Sequence, residues 1–320
     1  KDNPLPSICA RVCHHPCESK CLAGKWGSPI AIRVLKKFVT EYALKEGIYL
    51  KPKEQKQDGE KVAVIGSGPA GLTAGYSLTC KGYDVTIFEQ SSAPGGALAS
   101  YIPEYRLPLS VLNADIENIK NAGVKIKTNT KVGKDILFEE LLSSHKAVFI
   151  ATGAHKSRSL CIPNEDAEGV IDALEFLKSI KSNKKVSIGK NVGIIGGGNS
   201  AIDSARSALR TKNCRKVLIL YRRTRKEMPA LEEEINAAIE EGVEIKFLAA
   251  PTRIITKAGK ITGVKCIKMK LGEMDRDGRR RPIPIKGSES VINLDTLIVA
   301  IGEEPDLYCL GWQHSVRVGC

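Results

Sequence analysis

Two short apolar runs along the chain share one pattern. Residues 62–65 and 192–195 are apolar without polar alternation, as expected of strands buried on both faces. Each leads into a glycine-rich turn and then a helix-like stretch. Around the first turn the spacing predicts a strand from Lys61, a helix over 69–81 and a strand over 84–88. A helix over 109–122, a strand over 124–127, a helix near 136–142 and an apolar strand over 147–150 follow. Around the second it predicts a strand over 216–220, a helix over 230–241 and β-like segments over 243–248 and 261–271. A polar hairpin containing Asp277-Gly278 precedes a last strand over 296–300. Ahead of both, Ile32, Leu35, Phe38, Val39 and Tyr42 recur at helical spacing within 29–43, and the lysine-rich stretch 51–60 reads as a linker.

The turns carry the chemistry. Gly66-Ser67-Gly68-Pro69-Ala70-Gly71 and Gly196-Gly197-Gly198-Asn199-Ser200-Ala201 are both dinucleotide fingerprints in strand–turn–helix context. A helix N-terminus with no side chains in the way can hold a pyrophosphate. One such motif is weak evidence; two imply two nucleotides on one chain, and hence electron transfer between them.

The strand ends tell the nucleotides apart. The strand after the first fingerprint ends in Glu89, a carboxylate suited to a ribose hydroxyl and repelling a 2′-phosphate. With Pro94-Gly95-Gly96 following, this reads as an FAD site. The strand after the second ends in Tyr221-Arg222-Arg223-Thr224-Arg225, whose guanidinium forks suit the extra phosphate of NADPH. The bland alternative, a merely solvated basic run, is disfavoured by their position at a strand end behind a glycine fingerprint. Ala151-Thr152-Gly153, after the strand over 147–150, are small enough for backbone to pass close to a cofactor.

Composition narrows the class. The 320 residues allow two or three domains. The net charge of +13 is spread along the chain, and with aromatics at 5% a nucleic-acid role has little support; a face for an acidic redox partner or for coenzyme phosphates is more economical. No apolar run is long enough to span a bilayer and no signal peptide opens the chain, so a cytoplasmic, membrane-free location is expected. The chain begins at Lys1 rather than Met and reads as a fragment.

The ten cysteines divide. Cys80, Cys161, Cys214, Cys266, Cys309 and Cys320 are scattered singly and read as small apolar residues. Cys9, Cys13, Cys17 and Cys21 are evenly spaced around Pro16. Disulfides are disfavoured in a cytosolic setting, and spacing alone leaves an iron–sulfur cluster and zinc about evenly matched.

Asn3-Pro4-Leu5-Pro6, the segment Arg11-Val12-Cys13-His14-His15-Pro16-Cys17-Glu18-Ser19-Lys20-Cys21, Ile102-Pro103-Glu104-Tyr105-Arg106-Leu107-Pro108, Asn199-Ser200-Ala201-Ile202-Asp203 and Glu227-Met228-Pro229-Ala230 resemble one family. It is that of the glutamate synthase small subunit, the NADPH:ferredoxin oxidoreductase large subunit and the N-terminal half of dihydropyrimidine dehydrogenase. The resemblance covers the chain to about Asp306. It implies an α/β fold with two Rossmann-like nucleotide-binding domains, for FAD and NADPH, the second inserted in the first, behind a partial helical iron–sulfur module. The expected divisions are 1–50 for that module, 51–60 for the linker and 61–155 for the first FAD segment. The NADPH domain takes 156–302, and 303–320 begins a truncated FAD-domain return.

By the same resemblance Cys13, Cys17 and Cys21 match ligands split between two [4Fe–4S] clusters whose other ligands lie upstream, with Cys9 at a position that is often not a ligand. Gly66, Gly68, Pro69, Ala70, Gly71, Glu89, Gly95, Gly96 and Arg106 match the FAD site. Val132 matches a position beside the adenine, and Ala151, Thr152 and Gly153 line the cofactor. Gly196, Gly198, Asn199, Ser200, Arg222 and Arg223 match NADPH contacts, with Ala300, Ile301 and Gly302 near the nicotinamide. From about Tyr308 the resemblance stops, and an incomplete FAD domain is expected to retain flavin weakly.

The function implied is hydride transfer from NADPH to FAD, then single electrons through iron–sulfur clusters to a partner, a glutamate synthase large subunit or a ferredoxin-like protein. The flavin supplies the reactivity, so no catalytic side chain is expected. A non-catalytic nucleotide scaffold or redox sensor is the alternative from another class. A flavin disulfide reductase would need a cysteine pair beside the flavin, and the later cysteines are isolated. Two measurements check these assignments. Denatured full-length protein should release FAD on chromatography, and FMN would overturn the first site. Anaerobic material should contain iron and acid-labile sulfide, and stoichiometric zinc without iron would sink the cluster assignment.

Overall fold

The computed structural model describes residues 3–48, 59–275 and 278–307. Chain contacts divide it into two compact units, one running to Ala154 and resuming at Pro305, the other His155–Glu304. Residues 51–58 of the expected linker over 51–60, Asp277 of the expected hairpin and the tail from Tyr308 lie outside the described residues.

The first unit opens with three helices, α1 (Pro6–Val12), α2 (Pro16–Ser19) and α3 (Ile32–Lys45). Then come β1 (Lys61–Ile65), α4 (Pro69–Thr79), β2 (Asp84–Phe88), α5 (Ala97–Ser100), α6 (Leu109–Asn121), β3 (Lys125–Lys127), α7 (Phe138–Ser144) and β4 (Ala147–Ile150). The strands form a four-stranded parallel sheet in the order β3-β2-β1-β4. β1 shows why its run lacks alternation. Val62 and Val64 join a cluster with Leu72, Ile87, Leu112, Ile116 and Ile119 from α4, β2 and α6. Ala63 and Ile65 face the other way, into a cluster with Phe88, Val132, Phe138 and Leu141. Leu307, on the returning chain, packs against that second cluster.

β5 (Ala154–Ser157) follows, and the second unit continues with β6 (Val170–Asp172), α8 (Ala173–Lys181), β7 (Asn191–Ile195), α9 (Asn199–Leu209), β8 (Lys216–Tyr221), α10 (Glu232–Glu240) and β9 (Glu244–Phe247). Its later strands are β10 (Ala249–Lys257), β11 (Lys260–Met274), β12 (Arg280–Pro284), β13 (Ser290–Asn293), β14 (Thr296–Val299) and β15 (Glu303–Pro305). A parallel sheet, β6-β14-β7-β8-β9, carries the nucleotide-type half. Antiparallel β10, β11, β12 and β13 form a second sheet, and β5 pairs with β15. Ile254, Ile261, Val264 and Cys266 of that second sheet share a core with Ile195, Leu220 and Leu297. Burial pushes the Cys266 thiol up to about 11, which keeps it protonated and inert.

The helical period over 29–43 gives a helix, but its apolar stripe is not buried. Phe38 is 68% exposed, and Val34, Leu35, Val39 and Tyr42 are exposed beside it; of the whole helix only Thr40 is buried. Periodicity reports an apolar face and leaves open what covers it. No helix among the described residues is long and apolar enough to cross a membrane.

One polar contact ties the N-terminal helices to the sheet domain. Asp115 of α6 is fully buried, and its Oδ2 accepts the N–H groups of Ser7 and Ile8 at 3.0 Å each. These are amides of the first turn of α1, which has no side-chain cap of its own, so α6 caps α1 across the fold. Burial raises the pKa of Asp115 against the lowering effect of those bonds. A carboxyl whose folded pKa is raised contributes most below its unfolded value, and that contribution is lost as pH rises through the folded value. Asp115→Ala leaves two buried donors unmet, so the α1 amides should exchange with solvent roughly tenfold to a hundredfold faster, the equivalent of about 1–3 kcal/mol. Asp115→Asn keeps an acceptor and should remove only the pH dependence. Exchange measured on both variants across the weakly acidic range checks each statement.

Candidate functional site

The two fingerprints have the same local architecture, each in its own unit. In the first unit, Gly66 leaves β1 with φ of +99°, its N–H donating to Phe88 O at 2.8 Å. A Cβ at Gly66 would collide with Ala151 O, while Ala151 N–H donates to Ile65 O at 2.8 Å. In the second, Gly196 leaves β7 with φ of +146° and donates to Leu220 O at 3.2 Å; its Cβ would collide with Ala300 O, and Ala300 N–H donates to Ile195 O at 2.8 Å. Only glycine satisfies both the dihedral and the space.

The middle glycines differ from the first in a telling way. A Cβ at Gly68 would meet nothing within 4 Å, and one at Gly198 only Pro229 Cγ at 3.9 Å. Each caps a helix N-terminus, α4 from Pro69 and α9 from Asn199, and neither helix has a side-chain cap there. Uncapped first-turn amides in front of open space are what an anionic group requires. Gly71 and Ala201 then let helix and strand pack closely, Gly71 against Gly66 O and Ala201 fully buried.

Around the first turn the structure gathers most of the expected residues. Gly95 N–H donates to Ser67 O and to Ser67 Oγ, both at 3.1 Å, and a Cβ on Gly96 (φ +55°) would press on Gly68 Cα at 2.8 Å. Glu89 is 5% exposed and turned toward the loop. Its Oε2 accepts Ser67 N–H at 3.0 Å and Ser67 Oγ–H at 2.6 Å, and its Oε1 accepts Ser91 N–H at 2.7 Å. Ser67, at a position the fingerprint leaves open, thus connects the loop, Glu89 and Gly95; motif spacing gives no sign of it. Val132 is buried in the cluster holding Ile65 and Phe88, beyond the Thr130 N–H that donates to Glu89 O at 2.8 Å. Arg106 lies half-buried in the turn between α5 and α6, its N–H donating to Pro103 O at 3.0 Å. Thr152 and Gly153 (φ +71°) follow Ala151.

In the second unit Tyr221 packs beneath Gly197, where a Cβ would meet its ring, and its hydroxyl donates to Glu227 O at 2.6 Å. Asn199 Oδ1 accepts Leu231 N–H at 3.2 Å, and Ser200 stands in the first turn of α9. Ile301 is partly exposed, and Gly302 (φ +110°) accepts Arg158 N–H at 3.1 Å.

The structure divides the strand-end arginines. Arg222 is exposed and lines a cleft of about 570 Å³ with Glu273, Met274, Asp275, Arg281 and Pro282. Arg223 is 4% exposed and occupied internally: Nη2 bonds Asp275 Oδ2 at 2.6 Å and Nε donates to Arg280 O at 2.7 Å. Arg225 reaches Glu232 Oε1 through Nε at 3.0 Å and also contacts Asn236. Three arginines close in sequence therefore have three different surroundings.

Cys13 caps the C-terminus of α1, Cys17 lies in α2 and Cys21 follows it. Cys13 Sγ accepts His15 N–H at 3.3 Å, and peptide N–H groups of Ile30, then Ala23 and Gly24, hold the Cys21 thiol below its usual range. Thiols that receive peptide N–H bonds suit iron–sulfur ligation. Among the described residues no three Cys, His, Asp or Glu side chains converge on one metal position, and Cys9 stays with the thiols that carry no bond to a second cysteine.

Comparison with known proteins agrees with this geometry. Residues 60–318 match the family described as pyridine nucleotide-disulphide oxidoreductase, and residues 1–48 match dihydropyrimidine dehydrogenase domain II, 4Fe-4S cluster. The chain is 43% identical over 336 residues to the NADP(+)-dependent formate dehydrogenase subunit beta of Moorella thermoacetica, an alignment covering 98% of this chain and 47% of that one. It therefore spans about half the length of that relative. It is 35% identical over 334 residues to the glutamate synthase (NADPH) small chain of Escherichia coli K12, covering 99% and 70%. In fold it is similar to Mycobacterium tuberculosis FprA in complex with NADPH, with 20% identity, a TM-score of 0.66 and coverage of 77% and 71%. The chain belongs to the pyridine nucleotide-disulphide oxidoreductase family, among the FAD-, NADPH- and 4Fe-4S-dependent relatives of the glutamate synthase small chain.

Proposed function

We propose that this chain is the electron-input part of an NADPH-dependent flavin and iron–sulfur oxidoreductase that serves a separate electron-accepting protein, either a glutamate synthase large subunit or a ferredoxin-like carrier. The observation that carries the reading is the doubled fingerprint, one strand end bearing Glu89 and the other Arg222 in a cleft. When bound, FAD would supply the chemistry that links a two-electron hydride donor, NADPH, to single-electron iron–sulfur carriers.

The chain's own residues bind and orient. In the first unit, the first turn of α4, with no side-chain cap, begins at the open space around Gly68, which would take the FAD pyrophosphate. Glu89 holds the loop through Ser67, yet a carboxylate has about four lone-pair sites, so Oε1 can still accept a ribose hydroxyl. Gly95, Gly96, Arg106, Ala151, Thr152, Gly153 and Val132 complete the proposed flavin side. In the second unit, Gly196, Gly198, Asn199 and Ser200 hold the coenzyme pyrophosphate and Arg222 its 2′-phosphate, with Ala300, Ile301 and Gly302 along the nicotinamide end. Cys13, Cys17 and Cys21 are the proposed cluster ligands. Two features support a partner subunit: the exposed apolar stripe on α3, and the names of the relatives, which are a subunit beta and a small chain.

Anaerobic NADPH added to the FAD-loaded full-length protein should bleach the flavin absorbance within the mixing time of a spectrophotometer. Binding without bleaching would favour the scaffold or sensor alternative. Arg222→Gln should weaken NADPH by about 1.5–3 kcal/mol, the scale of a lost charged hydrogen bond, and leave NADH nearly unchanged. Equal losses for both coenzymes would make Arg222 a structural residue.

A further inference from the structure

The long strand β11 runs beyond its sheet and folds back as β12. Asp275 organises the turn between them. Its N–H donates to Arg279 O at 2.7 Å, its O accepts Gly278 N–H at 3.1 Å, and its Oδ1 accepts Arg279 N–H at 3.0 Å. Arg223, at the end of β8, bonds this same Asp275 through Nη2 and the Arg280 carbonyl through Nε. One guanidinium therefore holds both limbs of the hairpin. The β11–β12 pairing alone would specify the hairpin's path less firmly, because the register shifts between Leu271 and Met274.

The consequence falls on Arg281. It follows Arg280 on β12, is exposed, and lines the same cleft as Arg222. With Arg223 and Asp275 neutralising each other, the other charged residues lining the cleft among the described residues are Arg222, Arg281 and Glu273. Among these described residues the balance is one positive charge, so loss of either arginine leaves none. Two guanidiniums carried on separate elements can grip a phosphate monoester from two sides, as neither can alone.

We infer that Arg281 is a specificity-determining residue, gripping with Arg222 the 2′-phosphate on the ribose of the nicotinamide coenzyme. Arg223 is a positioning residue that sets the hairpin, and with it Arg281, across the cleft. The inference rests on reading the second fingerprint as the NADPH site. Sequence adjacency pairs Arg222 with Arg223; the fold pairs Arg222 with a residue nearly sixty positions later.

Calorimetric titration of the full-length protein with NADP+, NAD+ and inorganic phosphate, at fixed ionic strength, tests it. Arg281→Ala should weaken NADP+ roughly tenfold and NAD+ by less than about twofold, with Arg281→Lys recovering part of the loss. Inorganic phosphate should compete with NADP+ in the wild type and lose that competition in Arg281→Ala. In an Arg223→Ala background, Arg281→Ala should cost little more, since the hairpin no longer presents it; a merely structural Arg223 would leave the Arg281 effect intact. An Arg281→Ala variant that binds NADP+ as tightly as the wild type, or loses NADP+ and NAD+ equally, overturns the inference. A wild type with no preference for NADP+, or an Arg222→Ala variant that keeps it, overturns the underlying reading of the site instead.

Discussion

The close approach of a carbonyl to the first glycine of each fingerprint governs the rest of the structure. Ala151 O lies against Gly66 and Ala300 O against Gly196, at distances no side chain permits. Each contact forces the chain out of its strand with positive φ, and this starts the next helix with its N-terminal amides at the strand's C-terminal edge. The third small residue, Gly71 or Ala201, lets that helix lie close enough to the sheet to share its core. Tight packing and uncapped amides thus have one cause in the backbone geometry of these turns.

What distinguishes the units is charge at the neighbouring strand end, and such a charge either braces its own loop or stays open to the surroundings. Glu89, the proposed ribose acceptor, braces its own loop through Ser67. In the second unit the tasks are separated, with Arg223 bracing and Arg222 left exposed in the cleft. Burial decides which task a residue takes. A guanidinium at 4% exposure must have partners within the protein, because an unmet buried charge costs far more than a paired one.

Local rules are legible in the chain wherever one residue type is obligatory. β1, β2, β4, β7 and β8 fall within a residue of their expected bounds because their short, largely apolar runs admit few other readings. The expected helix over 230–241 starts later, at Glu232, behind Pro229 and Leu231. α8 has no counterpart among the expected elements, although Asp172 accepting Glu175 N–H marks its start and was available as a capping signal. The two glycine turns and the charges at the strand ends that follow them were legible in the chain. The long-range partners were not, since nothing at Arg223 announces Asp275 and nothing at Ser7 announces Asp115. α3 shows the same limit, its period specifying a face and not a neighbour.

The Asp115 contact also bears on how electrons could leave the flavin-type domain. Cys13 directly follows α1, and the first turn of α1 hangs on a fully buried carboxylate of α6, a helix packed on the sheet through Leu112, Ile116 and Ile119. The first of the proposed cluster thiols is therefore positioned by the nucleotide-type core. Leu5 and Ile8 of the same segment sit in that core beside Leu107 and Val111. A cysteine segment fixed in this way cannot drift relative to the first fingerprint without exposing apolar surface and stranding two amides. Electron transfer between redox groups depends steeply on their separation, so a buried polar cap supported by apolar packing is the kind of tether such a path requires.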